Sequence, residues 1–229
     1  MSNREPTEES FLKDVSNHSL TVLLDQGVYR HLSFSNNGSF NQKFDIVTWP
    51  GFLAYSGDMG CFVFSRVNDM FSFFRNDKDK KELQINPSYW GEKLQAVDRD
   101  GYNPGYKEYS PEKFKFLVEE KVKEWLEEFE GDYDDSEEEV DEKIKEFSSK
   151  LIDEIKDDVL NYSDDGEHKA HEVLRDFSFE YNGYRYEFSD TWEWDLKDYT
   201  YRYIWCLRYC LGCPEIRCAT GKQGKLRYI

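Results

Sequence analysis

Short apolar runs with polar turns between them dominate the first third of the chain. Residues 20–24 (LTVLL) and 28–34 (VYRHLSF) are rich in β-branched and aromatic side chains, and Gly27 separates them. In residues 43–49 (KFDIVTW) every second side chain falls on one inward face. FLAY and CFVFS follow, with the turn SGDMG between them. This pattern predicts a meander of short antiparallel strands with an aromatic core.

Two stripes of apolar residues at spacings of three and four occupy the middle of the chain, as on one face of a helix. Ahead of the first stripe, Ser110 is suited to be the N-cap and Pro111 the first helical residue. An acidic segment containing Gly131 separates the stripes. The pattern predicts an antiparallel helix pair. The stripes are Phe114, Val118, Val122, Trp125 and Phe129, then Val140, Ile144, Phe147, Leu151 and Ile155.

Five shorter patterns complete the expected secondary structure. Aromatic segments flank Asn182-Gly183, a pair typical of type I′ turns, and predict a β-hairpin (FSFEY-NG-YRYEF). Start and stop signals also predict four helices. These helices cover MFSFFR after Asn68, INPSYWGEKLQAV, HKAHEVLRDF, and a long aromatic stretch over residues 192–211 that Asp190 caps.

Together these elements predict an α+β fold: an N-terminal aromatic antiparallel β-sheet with a helical subdomain carrying an acidic helix hairpin. Residues 1–18 are polar and are expected to form a flexible lead-in. Residues 19–229 are expected to form a single α+β domain, in which residues 110–166 are an acidic helical subdomain or insertion.

Charge is distributed unevenly along the chain. The 229 residues are 38% hydrophobic and 17% aromatic, a composition that folds, and the formal net charge is −17. Residues 112–167 contain 23 Asp and Glu against 8 Lys, a net charge of −15, which leaves −2 for the rest. Such a field repels nucleic acid and anionic membranes and attracts basic surfaces. We therefore expect a protein partner with a basic groove, and no direct nucleic-acid binding.

The densest acidic run is EEFEGDYDDSEEEVD, residues 127–141, with ten acidic residues in fifteen positions. If residues 127–141 formed one helix, their ten charges over about 22 Å would approach the linear charge density of duplex DNA, which is about one charge per 1.7 Å. Gly131 favours a cluster at a hairpin tip instead, and a solvated loop that only aids solubility is the alternative. The expected partner-binding residues, with Tyr133 as aromatic anchor, are Glu127, Glu128, Glu130, Asp132, Tyr133, Asp134, Asp135, Glu137, Glu138, Glu139 and Asp141.

The cysteines and the apolar runs indicate the cellular compartment in which the protein acts. No run approaches the roughly 18 apolar residues needed to span a bilayer, and the N-terminus lacks an apolar signal region. We therefore expect a cytoplasmic protein without membrane contact, in which disulfides are disfavoured. A zinc site is one interpretation of four clustered cysteines, but their gaps do not form paired CxxC motifs, and buried or incidental thiols are the alternative. The four are Cys206, Cys210, Cys213 and Cys218.

No sequence motif specifies a reaction. A nucleophile elbow, P-loop, dinucleotide fingerprint and kinase signature are all missing, so neither an enzyme nor a cofactor is expected. His168 and His171 lie three residues apart among carboxylates, which fits either a divalent-metal site or a charged, capped helix. Asp58, flanked by glycines in SGDMG, is interpreted as a turn residue, with an unpaired catalytic carboxylate as the alternative.

Several segments resemble a family of uncharacterised proteins encoded by tailed bacteriophages and prophages. They are GVYRHLSFSNNGS, FDIVTWPGFLAYSGDMGCFVFSR, DMFSFFR, INPSYWGEKLQAVDR, YSPEKF, DDGEHKAH and YRYIWC. The resemblance runs from about residue 27 to residue 206, and TWPG…SGDMG is its most specific part. The family has no established activity, so the resemblance implies a setting, an accessory phage gene expressed in a bacterium. The segment CLGCPEIRC and the acidic residues 112–167 depart from the family pattern.

These observations favour a phage anti-defence protein, of the anti-CRISPR or anti-restriction type, acting in the cytoplasm of the infected bacterium. Its acidic surface would compete for the basic nucleic-acid site of a bacterial immune protein. One alternative is a metal-dependent hydrolase or nucleotide-degrading antagonist of immune signalling, which would use Asp58 or the cluster around His168 and His171. The other is a structural or host-takeover protein that makes contact through its aromatic sheet.

Overall fold

The chain folds into two compact units. The sheet unit comprises Met1–Glu108 and Tyr199–Ile229, and the helical unit comprises Tyr109–Asp198. Sheet and helices confirm the predicted α+β class. The expected subdomain over residues 110–166 is only part of the helical unit, which continues to Asp198. The computed structural model describes residues 6–74, 85–98, 105–131, 138–212 and 224–225.

Helices and strands alternate irregularly along the described residues. The helices are α1 (Glu8–Val15), α2 (Met70–Phe74), α3 (Pro87–Gly91), α4 (Pro111–Gly131), α5 (Glu138–Asp158), α6 (Glu167–Asp176) and α7 (Tyr201–Gly212). The strands are β1 (Ser19–Gln26), β2 (Tyr29–Ser35), β3 (Phe44–Trp49), β4 (Phe52–Gly57), β5 (Gly60–Ser65), β6 (Leu94–Val97), β7 (Lys107–Tyr109), β8 (Phe179–Tyr181), β9 (Tyr184–Tyr186), β10 (Lys197–Tyr199) and β11 (Gly224–Lys225). Two 3-10 turns cover Leu160–Tyr162 and Thr191–Glu193.

An antiparallel sheet forms the body of the sheet unit. In the described residues its strand order is β11-β1-β2-β3-β4-β5-β6. From β1 to β6 each strand pairs with the next one in the chain, so the predicted meander is confirmed. Gly27, with φ of 64°, provides the left-handed turn residue between β1 and β2.

One face of this sheet is buried under helices, and we call it the inner face. Phe44, Tyr55 and Phe62 on this face are fully buried, as the alternation in β3 predicted. Helices α1, α2, α3 and α7 contribute the rest of the core. Trp205 of α7 packs edge-on against Phe44 with ring centroids 5.9 Å apart. The aromatic core that the sequence predicts therefore lies between the sheet and α7.

Helix α1 corrects the expectation of a flexible lead-in over residues 1–18. Phe11 is 2% exposed and lies 5.3 Å from the Trp205 ring. The Trp205 indole also donates a hydrogen bond of 3.0 Å to Asp14, and Arg208 donates one to the Pro6 carbonyl. The segment looks polar in the sequence because only one of its faces is buried. Residues 8–15 are thus part of the core.

Two predicted helices are also corrected. The helix expected over residues 85–97 ends at Gly91, and its second half pairs with β5 as β6. The helix expected over residues 192–211 begins only at Tyr201, where the Thr200 hydroxyl accepts a hydrogen bond from the Tyr203 amide. The stretch over residues 192–211 is rich in aromatic residues, which suit a strand as well as a helix.

The helical unit has its own aromatic core. The α4 stripe is buried throughout, and of the α5 stripe Phe147, Leu151 and Ile155 are at most 3% exposed and Ile144 is partly buried against them. The side chain of Val140, the first residue of that stripe, lies outside the described residues. The predicted hairpin forms as β8 and β9, with Asn182 and Gly183 at positive φ, as a type I′ turn requires.

The first and last residues of the helical unit are bonded to each other. Ser110 caps α4 as predicted, since its hydroxyl accepts a 3.1 Å hydrogen bond from the Lys113 amide. The Ser110 amide donates to the Leu196 carbonyl at 3.0 Å, and the Lys113 ammonium donates to the Lys197 carbonyl at 2.7 Å. These bonds close the unit on itself.

Candidate acidic interaction surface

The last turns of α4 present three of the predicted partner-binding residues to solvent. Phe129 is 4% exposed and stacks on Phe147 at a centroid distance of 4.0 Å, which fixes the rotation of α4. Glu127, Glu128 and Glu130 therefore point away from the core, and all three are exposed. Their outward placement follows directly from the buried stripe.

The remaining predicted residues belong to the segment after α4 and to the start of α5. Asp141 is exposed on α5. Glu138 and Glu139 are the first two residues of that helix. Since α5 rises about 1.5 Å per residue, Asp141 lies about 9 Å before Phe147 along the helix axis. Asp132, Tyr133, Asp134, Asp135 and Glu137 lie outside the described residues.

The two units differ strongly in net charge. The helical unit contains 31 Asp and Glu against 12 Lys and Arg, a net charge of −19. The sheet unit contains 16 acidic against 18 basic residues, a net charge of +2. The negative excess is thus a property of the whole helical unit, and it extends past residues 112–167, whose net charge is −15.

Part of the acidic surface is neutralised by lysines and part is not. Glu127 lies 3.7 Å from Lys123, and Glu124 lies 2.7 Å from Lys121. Among the described residues, no ion pair engages Glu128, Glu130 or Asp141, although all three are exposed. Free carboxylates at the α4 end are available to cations from outside.

The end of α4 carries these carboxylates against the preference of the helix. The C-terminus of a helix bears the negative end of its dipole and favours cations. The last turn of α4 contains no basic residue, while Glu128 and Glu130 lie in it. This arrangement lowers the stability of the helix.

The negative charge of the helical unit also affects Tyr109. Its hydroxyl donates a 2.8 Å hydrogen bond to the Ser163 carbonyl. Burial, followed by the negative charges of Asp164, Glu167 and nearby carboxylates, raises the pKa of Tyr109 to about 12. A phenolate at this place would add charge to an already negative region.

On α5 one carboxylate is locally compensated. The hydrogen bond from the Lys150 ammonium, 2.6 Å long, lowers the pKa of the Glu146 carboxyl. The Tyr181 hydroxyl also donates to Glu146, at 3.4 Å. Glu146 is therefore less available to a partner than Glu128 or Glu130.

Trp192 is a candidate contact residue, although the sequence pattern predicts it inside a helix. Its side chain is 75% exposed. The 3-10 turn that carries it follows Asp190, whose φ of 52° is left-handed, and the next tryptophan, Trp194, packs 5.7 Å from the Phe188 ring. The turn is anchored to the core on one side and presents an indole to solvent on the other.

The alternative sites find no support in the described residues. Asp58 accepts a 2.8 Å hydrogen bond from the Gln42 amide, which fits its interpretation as a turn residue. His168 is exposed and His171 half-buried on α6, and no group of three or more metal-binding side chains occurs in the part of the chain that is described. Cys206 is buried, and its thiol donates to the Met59 carbonyl at 3.8 Å. The side chain of Cys210, with Cys213 and Cys218, lies outside the described residues.

A cleft of about 250 Å³ in the helical unit is polar and already internally paired. Its lining includes Asp158, Tyr162, Lys169 and Glu172. The Lys169 ammonium lies 4.9 Å from the Tyr162 ring and 3.2 Å from Glu172.

No helix in the described ranges is both long and apolar enough to cross a bilayer. Comparisons of the chain with protein-family models, with curated proteins and with solved structures find no match. The function must therefore be argued from the residues themselves.

Proposed function

We propose that this chain is a phage-encoded anti-defence protein, of the anti-CRISPR or anti-restriction type, which inhibits a bacterial immune protein by occupying its basic nucleic-acid site. The observation that carries the proposal is the net charge of −19 confined to the helical unit. The exposed carboxylates Glu128 and Glu130 at the end of α4, which form no ion pair within the described residues, are its centre. The protein would act in the cytoplasm of the infected cell.

The physical basis is competition for cations. When nucleic acid binds to a basic site, the lysines and arginines of the site replace the counterions around the phosphates, and the counterions are released. A dense row of carboxylates can bind to the same lysines and arginines in place of the phosphates. Association steered by such a field is fast at low salt and slows as salt screens it. The cost of placing acids at the α4 C-terminus is consistent with selection for this surface.

Trp192 supplies the kind of apolar contact that charge alone lacks. Charged rims mainly set the association rate and specificity, whereas buried aromatic anchors contribute most of the affinity. Because the exposed residues Asp190 and Glu193 lie within two positions of Trp192 in the chain, a partner would need an apolar pocket bordered by basic residues.

The test is direct competition with DNA or guide RNA. Purified CRISPR effectors and restriction enzymes would be loaded with labelled nucleic acid and titrated with the full chain at about 50 and about 500 mM salt. We expect displacement of the nucleic acid from one class of immune protein at the lower salt concentration. Displacement should be weaker at the higher one.

Matched charge variants give the experiment its control. Glu128→Lys with Glu130→Lys and Asp141→Lys should abolish displacement. Three reversals on exposed acidic residues of α4 and α5 outside residues 127–141, Glu119→Lys, Glu120→Lys and Asp153→Lys, should retain most of it. Equal loss in both variants would mean that only net charge matters, and no displacement by the wild-type chain from any immune protein would refute the proposal.

A further inference from the structure

The strand registers assemble a second face on the sheet unit, and few of its residues are charged. We call the side of the sheet opposite the inner face the outer face. On this side His31 pairs with Val47, Val47 with Ala54, and Ala54 with Val63. Leu24 pairs with His31 at one end of this row, and Ala96 of β6 pairs with Val63 at the other. One largely apolar row therefore crosses all six strands from β1 to β6.

An aromatic row lies beside the apolar row. Trp49 pairs with Phe52, and their rings stack at 5.2 Å with an interplanar angle of 12°. Tyr29, on the same face at the adjoining end of β2, is 52% exposed. Aromatic side chains with one free ring face are the residues that protein interfaces favour.

Few residues of the outer face are charged. Of its nine positions on β3, β4 and β5, only Asp45 is charged, although 34% of the chain is charged, so about three would be expected. A sheet face that meets only water normally alternates apolar inside with charged or polar outside. The nine positions are Asp45, Val47, Trp49, Phe52, Ala54, Ser56, Cys61, Val63 and Ser65.

The outer face remains accessible. The side chains of Val47, Ala54 and Val63 are half-buried, whereas their inner neighbours Ile46, Leu53 and Phe62 are fully buried. The two buried clusters of side chains in the described residues contain none of these three outer residues. Strands that are apolar on both faces are typical of sheets covered on both sides.

We propose that a second copy of this chain covers the outer face, so that two sheets pack face to face about a two-fold axis. Six strands at about 4.8 Å and five residues at about 3.3 Å give a plane of roughly 500 Å². Side chains add to its accessible area, and a standard interface buries roughly 800 Å² per partner. The face is therefore close to the size that a stable dimer needs.

The charge pattern selects a second copy over a basic partner. A basic protein is drawn to the helical unit, with its net charge of −19, whereas the sheet unit has a net charge of only +2. In a two-fold arrangement the apolar row meets itself across the axis, and the contact is isologous. Nothing in this inference depends on the proposed anti-defence function.

The test is the oligomeric state of the full chain by sedimentation velocity. Over about 1–200 µM protein we expect a concentration-dependent dimer of twice 27.4 kDa. Because the contact is apolar and the chain as a whole is strongly negative, the dimer should tighten as salt rises from about 50 to about 500 mM. This sign is opposite to that expected for the acidic surface, so the two proposals fail separately.

Two lysine pairs locate the contact. Val47→Lys with Val63→Lys should raise the dimer dissociation constant at least tenfold, while Asn41→Lys with Asn68→Lys, at exposed turn residues, should not change it. Near-ultraviolet circular dichroism checks that both variants keep the aromatic core. A wild-type monomer at all concentrations overturns the proposal and leaves the face to a foreign protein. An equal effect of both pairs, or a dimer that weakens with salt, also overturns it.

Discussion

Glu128 and Glu130 in the last turn of α4 allow the cost of the acidic surface to be measured. Both are exposed and have no ion-pair partner in the described residues, so their replacement breaks no ion pair there. We predict that Glu128→Lys with Glu130→Lys makes the folded protein more stable, while it removes binding to the immune partner. A change that improves folding and abolishes binding would show that the surface serves a partner.

The size of the gain follows from the helix dipole. A charge at a helix end contributes about 0.3–1 kcal/mol at low salt, and reversal turns an unfavourable term into a favourable one. The lysine introduced at position 128 also faces Glu124 at the favourable i,i+4 spacing, worth about 0.2–0.5 kcal/mol. For two exposed residues we expect about 1–2 kcal/mol in total. If the helical unit unfolds by itself, Tm rises by about 5–10 °C.

The assay is thermal unfolding followed by circular dichroism at about 10 and about 500 mM salt. Glu119→Lys with Glu120→Lys is the matched control, because it changes the net charge equally but lies in the middle of α4. The gain from the terminal pair should exceed that of the control and should shrink at high salt. An unchanged or lower Tm for the terminal pair, or the same gain in both pairs, would refute the reasoning from the helix end.

Two further predictions test other parts of the structure. Since the pKa of Tyr109 is raised from 10.0 to about 12 in the folded state, the stability it contributes is complete below about pH 10 and is lost as pH rises towards 12. Tyr109→Phe should flatten this part of a urea-unfolding series between pH 9 and about 12; an identical slope would contradict the assignment. Phe11→Ala removes a ring that is 2% exposed and in contact with Trp205, so it should cost about 3–5 kcal/mol in urea unfolding. A loss below about 1 kcal/mol would mean that α1 is not part of the core.

Local patterns account for the elements that the sequence predicted correctly. The α4 stripe has a single dominant period, and the strands from residue 20 to residue 65 are separated by strong turn residues such as Gly27. The exposure of Glu127, Glu128 and Glu130 followed from the same stripe, because residues between buried positions on a helix must face outward. These features require no knowledge of the tertiary structure.

The errors have a common cause in contacts that are distant in sequence. The burial of Phe11 depends on Trp205, which is far away in the chain, and no local period shows it. Trp192 was placed in a helix because aromatic residues fit several structures, and the left-handed backbone of Asp190 that exposes it is not visible in a pattern. The outer face of the sheet likewise emerges only from the strand registers.

Because α7 is made late, the core of the sheet unit becomes complete only near the end of synthesis. The ribosome synthesises about 100 residues between the end of the N-terminal part of the sheet unit and the end of α7, which takes roughly 5–20 s. Until Trp205 has been made, Phe44 and its inner-face neighbours lack this partner, whereas the helical unit has all of its own core once Leu196 has been made and can bond to Ser110. The acidic unit is therefore complete before the sheet can cover its core, and the nascent sheet is the stage of synthesis most exposed to aggregation and most in need of a chaperone.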